Sequence, residues 1–325
     1  MTEGSMNQLS FSQAYKLDET LKMVMDELVT NPFQSQSKIK SWVQEVLNKG
    51  DAYQRKEILN QGRANFAKPI RGLSPEQTVL LYCRHYLQMH LASSRYVFDI
   101  CHQLWDENPA FLDDNSVLID FGCGPLTSAL ALAWYSDQVK KTQLKLNYLG
   151  IDRAEAMLEK ARQFSRHQAL FSRSSNFHFV THYTDDSVTR YIEQCTQNYP
   201  PSWIVLNFSY FFASPWLDAQ KFSCFINQLL NRFSQYHFCL LFQNPPGELL
   251  NQKWIEFKDY LEVSFQCLKS PQSISSSQPV HYLEYPLNST VKINQPKPPI
   301  RLYYEILVNQ HNKNSMKYQA PTISV

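Results

Sequence analysis

Two glycines and two carboxylates carry the chemistry that stands out in this chain. Asp120-Phe121-Gly122-Cys123-Gly124-Pro125 follows an apolar run, Val117-Leu118-Ile119, and precedes an Ala/Leu-rich stretch, Leu126 to Tyr135. That order reads as a buried strand, a glycine turn and a helix. The chain has 8 glycines in 325 residues, so two within one turn mark a backbone with a special task. A glycine lacks Cβ and tolerates positive φ, so a bulky ligand can approach the main chain there. Pro125 then opens the helix, where its missing N–H costs nothing. Further on, Leu146-Asn147-Tyr148-Leu149-Gly150-Ile151-Asp152 reads as a second strand that ends in a carboxylate.

Together these segments resemble the cofactor site of class I S-adenosylmethionine-dependent methyltransferases. The resemblance covers residues 115–310, and its specific part is the two strand ends. It implies that Asp120 holds the cofactor's amino group through charge-assisted bonds. It implies that Gly122, Cys123 and Gly124 form the turn beside the cofactor and that Asp152 accepts both ribose hydroxyls. The family's third glycine falls on Leu126, a departure that bears on the methionine pocket. The acid at the third strand's end falls on Tyr183, which leaves Asp185 as the nearest candidate; a helix-capping Asp is the competing reading. Asn207 and Tyr210, after the fourth strand, fall where the family places the groups nearest the methyl. The sulfonium is an activated donor, so the protein's task is to align an acceptor. The sequence names no general base. A dinucleotide fingerprint, Gly-x-Gly-x-x-Gly, is the rival for the turn. It needs a glycine at Thr127, and the acid ahead of the turn would repel a pyrophosphate.

The elements that must position these residues fall into two regions. Residues 1–110 read as a helical substrate or lid region. Its best signal is Ser74-Pro75-Glu76-Gln77, with an N-cap, a first-turn Pro and a capping-box Gln. Residues 111–310 alternate strand and helix. Strands fit 117–121, 146–151, 177–182, 203–208 and 237–242, and a closing antiparallel pair fits 280–285 and 302–308. The expected fold is α/β, a doubly wound, mostly parallel seven-stranded sheet with helices on both faces. Ligands bind such sheets at the carboxyl ends of the strands, where the winding reverses. Residues 311–325 read as a flexible tail.

Composition bounds the partners. A net charge of +2 is too small to prove a nucleic-acid partner. Yet segment 38–95 holds ten Lys/Arg against four acids and is interleaved with Trp42, Tyr53, Phe66, Tyr82 and Tyr86. Phosphate contacts with base stacking would use that mixture; a solvated surface over an aromatic core has the same composition. RNA is the first expectation for the acceptor, and a small molecule or a non-catalytic partner protein are the alternatives. Seven cysteines without a Cys-x-x-Cys pair suit reduced thiols, hence a cytoplasmic protein. No stretch reads as a leader or a membrane span. His85, His90 and Cys83 lack metal-site spacing and read as helix packing. Asn244-Pro245-Pro246 is similar to the loop of amino-group methyltransferases, but it follows the fifth strand and reads better as a helix-entry turn.

Overall fold

The computed structural model describes residues 14–105, 115–197, 201, 203–286 and 294–309. Strands β2 (Val117–Phe121), β3 (Asn147–Ile151), β4 (Asn176–Val180), β5 (Ile204–Ser209) and β6 (Phe238–Asn244) run parallel. Strand β11 (Ile300–Asn309) enters antiparallel beside β6, and β7 (Phe265–Lys269) flanks it. The order is β4-β3-β2-β5-β6-β11-β7, with β8 (Gln278–Val280) added to the start of β11. A small second sheet joins β1 (Tyr15–Lys16) to β9 (Tyr282–Glu284) and β10 (Gln295–Pro296).

The closing strands differ from the expected pair. The antiparallel pair expected between 280–285 and 302–308 forms only where Gln278–Val280 meets Ile300–Leu302; along the rest of its length β11 lies between β6 and Phe265–Lys269, a segment not read as a strand. Tyr282–Glu284 belong instead to the small sheet, between β1 and β10. Phe265-Gln266-Cys267-Leu268-Lys269 is short and half exposed, so its alternation is weak; only its pairing defines it.

Helices coat both faces because alternate strand residues are apolar on both sides. Helices α4 (Thr127–Tyr135) and α5 (Glu155–Ser165) cover Leu118, Val205 and Leu241. Helices α6 (Asp185–Thr196), α7 (Ala219–Arg232) and α8 (Glu248–Asp259) cover Ile119, Phe121, Leu206, Phe208 and Phe242. The N-terminal helices join the first of these two cores. Helix α1 (Glu19–Met25) contributes Leu21 and Val24, α2 (Pro75–Tyr82) contributes Val79 and Leu81, and α3 (Gln88–Leu104) contributes Leu91 and Phe98. Ser74 caps α2 with the full capping box. A π-helical turn, Cys83–Leu87, links α2 to α3.

The shared core has a measurable consequence. Leu91 is fully buried within it. Leu91→Ala is expected to cost about 2–5 kcal/mol in a single denaturant transition. A separate early transition for the N-terminal helices would contradict one common core.

Candidate functional site

The turn after β2 is built from left-handed residues. Gly122 has φ 71°, Gly124 φ 53° and Leu126 φ 75°. Leu126 therefore takes the conformation a glycine would supply, at a cost of roughly 1–2 kcal/mol. Its side chain is fully buried, and burial of a leucine is worth a similar amount, about 1.5–3 kcal/mol. So burial of the side chain offsets the cost of a leucine in this conformation. The N–H groups of Gly122 and Cys123 donate to Ile151 O, at 2.8 and 3.0 Å, and tie the turn to the end of β3. A Cβ on Gly124 would meet nothing within 4 Å, so open space lies over this part of the turn. A Cβ on Gly122 would meet the Phe211 ring at 3.2 Å.

Asp152 stands just past β3, half-buried. Its Oδ2 accepts from Gly124 N–H at 3.1 Å and its Oδ1 from Ala154 N–H at 2.9 Å. Desolvation pushes its carboxyl up, and those two backbone bonds pull it back. Each oxygen has one bond and retains a further lone pair. The open space at Gly124 and the pinned acid beside it suit a ligand carrying hydroxyls.

Asp120 is placed differently from expectation. It is 1% exposed, and its carboxylate is already engaged by protein donors. Tyr148 Oη donates to Oδ2 at 2.7 Å, and Asn207 Nδ2 donates to Oδ1 at 2.6 Å. Asn207 Nδ2 also lies 2.9 Å from Ser128 Oγ and 3.0 Å from Ser209 Oγ. Burial pushes the Asp120 carboxyl up to about 6, against the pull of Tyr148, Asn207 and Ser128. Asp120 and Asn207 thus form a dry network beneath the turn, and neither presents its polar group at the surface. The reason is strand alternation: both point to the face that α4 covers.

Tyr210 follows β5 with φ 59°, a left-handed backbone rare for a bulky residue. Its N–H donates to Gln243 O at 2.8 Å, and its hydroxyl donates to Ser93 Oγ at 3.0 Å. Burial pushes that hydroxyl up to about 12, so it stays protonated at neutral pH. Its ring stacks on His90, with centroids 4.3 Å apart at 26°. His90 Nδ1 lies 2.9 Å from Tyr82 Oη. Burial pushes His90 down to about 4, so the imidazole is neutral. His90 reads from its spacing as helix packing; its contact with Tyr210 spans the two regions and has no local signal.

The other candidates are placed as follows. Cys123 is buried, and burial pushes its thiol well up. Asp185 is the first residue of α6, after the N-cap Thr184; its side chain lies outside the described residues. Tyr183 packs on Phe222 and Phe225, with centroids 5.1 and 5.2 Å away. Asn244 ends β6 and donates to Leu250 O and Asn251 Oδ1, which knits the Pro-Pro turn to α8. His85 bonds Gln54 Oε1 at 2.7 Å.

The basic segment changes meaning. Lys38, Lys40, Lys49, Lys56, Arg63, Lys68 and Arg71 are exposed. Trp42, Phe66, Tyr82 and Tyr86 are core residues, so they are not stacking platforms. Tyr53 is half-exposed, with Lys49 and Arg71 over its ring and its hydroxyl on Glu45.

No protein-family model matches the chain, and no curated protein does. Several solved structures align with part of the chain. One is precorrin-6y C5,15-methyltransferase from Geobacter metallireducens, 13% identical over 60% of this chain and 80% of that one, with TM-score 0.32. Another is magnesium protoporphyrin IX methyltransferase from Synechocystis with bound S-adenosylhomocysteine, 11% identical over 69% and 87%, with TM-score 0.34.

The buried network makes a prediction about pH. Asp120 keeps its proton in the folded state to a higher pH than in the unfolded chain, so stability falls as pH rises from about 4 to about 6. Relative to Asp120→Asn, the wild-type unfolding free energy should drop by on the order of 3 kcal/mol across that window. Parallel pH profiles for the two chains would contradict the assignment.

Proposed function

We propose that the chain is an S-adenosylmethionine-dependent methyltransferase. One observation carries the reading: a carboxylate pinned at the end of β3 beside a left-handed glycine turn with open space over it. Asp152 would accept the ribose hydroxyls, and the Gly122–Gly124 backbone would lie along the rest of the cofactor. The bound cofactor would supply an activated methyl group. Asp120 and Asn207 would hold the turn in shape from beneath rather than touch the ligand. Tyr210 would form the wall on the acceptor side. Asp185, at the N-terminus of α6, is the adenine-side candidate.

RNA remains the broader acceptor reading, supported by the seven exposed basic side chains of segment 38–95. It has lost the stacking half of its argument, since the interleaved aromatics are mostly core. Phosphate contacts alone would give binding that weakens steeply with salt.

Calorimetric titration tests the cofactor. Purified protein should bind S-adenosylmethionine and S-adenosylhomocysteine and ignore NAD. Asp152→Ala should weaken that binding by about 100-fold, near 3 kcal/mol, with the fold retained. A folded wild-type protein that binds neither compound would shift the reading to a non-catalytic partner. For RNA, Arg63, Lys68 and Arg71 changed together to Glu should weaken association at low salt. Unchanged binding would remove the basic segment from the acceptor question.

A further inference from the structure

Two rings join the candidate site to the basic surface. Tyr82 ends α2 and Tyr86 lies one turn on, with ring centroids 5.4 Å apart. Tyr82 Oη lies 2.9 Å from His90 Nδ1, and the His90 ring stacks on Tyr210. Burial, and after it the nearby Cys83, Tyr210 and Asp152, push the Tyr82 hydroxyl up. The pair thus reaches both strand-end candidates, Tyr210 and Asp152.

The same pair carries cations. The Arg55 guanidinium lies 5.1 Å from the centre of the Tyr86 ring. A Cβ on Gly62 would lie 3.8 Å from both rings, and Phe66 meets Tyr82 edge-on at 5.3 Å. Gly62 and Phe66 therefore anchor a short strap at two points, with Arg63 exposed between them and Lys68 exposed just beyond. The strap opens on three left-handed residues, Asn60 (φ 44°), Gln61 (φ 55°) and Gly62 (φ 88°). Such backbone is uncommon at non-glycine residues and clusters at ligand clamps. Arg153, also exposed, follows Asp152, and its charge reaches that carboxylate.

The acids of this neighbourhood are taken by other cations. Asp51 pairs with Arg84 at 3.4 Å, Glu57 with Arg71 at 3.1 Å and Glu284 with Lys297 at 2.6 Å. Arg55, Arg63, Lys68 and Arg153 form no salt bridge among the described residues. Guanidinium groups set against rings and left without a carboxylate suit phosphate.

We propose that Arg55, Arg63, Lys68 and Arg153 form one phosphate-binding rim, and that the acceptor is a single-stranded polynucleotide whose backbone lies along it. The inference rests on the methyltransferase reading for the word acceptor, and on the geometry for the rim. Four cations spread from Tyr86 to the end of β3 are more than one phosphomonoester can bridge, so successive phosphates are the fit. The rim excludes much of segment 38–95. Arg71 and Arg84 are paired, and Lys38 and Lys40 belong to the other end of α2, where Gly72 packs on Ser41. The length of that helix, about 10 Å, separates them from Tyr82.

The probe is a labelled, mixed-sequence single-stranded RNA of about 16 nucleotides. Arg55→Ala, Arg63→Ala and Arg153→Ala combined should weaken its binding about 10-fold or more at low salt, and flatten the slope of log K against log salt by about 2. Lys38→Ala, Lys40→Ala and Lys49→Ala combined remove the same charge and should weaken it by less than about threefold. Equal losses in the two sets, or no binding of RNA by the wild type, overturn the proposal. So does adenosine monophosphate that displaces the probe as well as unlabelled RNA at equal phosphate concentration. The wild-type chain gives a test without variants. The side-chain Nε–H signals of Arg55, Arg63 and Arg153 should shift on adding RNA, while that of Arg71, held by Glu57, stays; shifts confined to other arginines overturn the rim. S-adenosylhomocysteine is titrated in parallel. RNA binding that depends on the three arginines in a chain that ignores S-adenosylhomocysteine keeps the rim and removes the methyltransferase reading; S-adenosylhomocysteine binding with equal losses in the two sets does the reverse.

Discussion

A carboxylate kept dry at the end of a central strand sets the terms for the rest of the site. Asp120 lies almost wholly out of water, and burial pushes its proton affinity up. A buried charge is tolerated only when it is hydrogen-bonded. Tyr148 from β3 and Asn207 from β5 meet that requirement, and Ser128 from α4 joins through Asn207. Strands β2, β3 and β5 and helix α4 are thereby fixed against one another just below the glycine turn. The turn above can then hold left-handed residues without collapsing, because its floor cannot move independently of the strands.

Much of the fold was legible because it rests on local rules. The apolar run before Asp120, the Ser74 capping box and the helix–strand alternation after 115 each follow from residue type and spacing. Asp152 was legible too, since its partners Gly124 and Ala154 are set by the turn and by the helix that follows. What the sequence hid was partnership over distance. Nothing near Asp120 announces that Asn207 lies against it, and the motif's acid therefore reads as a ligand group. The missing glycine at Leu126 reads as a defect until its burial is seen to offset its conformation. The aromatics of segment 38–95 share one composition whether they face a core or a nucleic acid. Phe265–Lys269 has too little alternation to be a strand on its own and becomes one only beside β11.

The N-terminal helices do more than cap the sheet. Leu91, Leu130 and Leu241 belong to the same core as Leu21, so movement of these helices as a rigid lid would tear a continuous apolar interior. Lys160 on α5 strengthens that bond by donating to Leu28 O at 3.0 Å. The part of α3 that carries His90, Ser93 and Ser94 is thus held at the strand ends by packing elsewhere. Its polar groups arrive there preorganised.

The position of β11 has a consequence for how the molecule is made. This strand lies between β6 and β7, both of which leave the ribosome before it. Until residues 300–309 emerge, β6 has an unpaired edge and β7 has no neighbour within the sheet. Such an edge is a template for another chain. The nascent protein therefore holds an open seam during synthesis, and closing it requires β11 to slot inward rather than add at a rim.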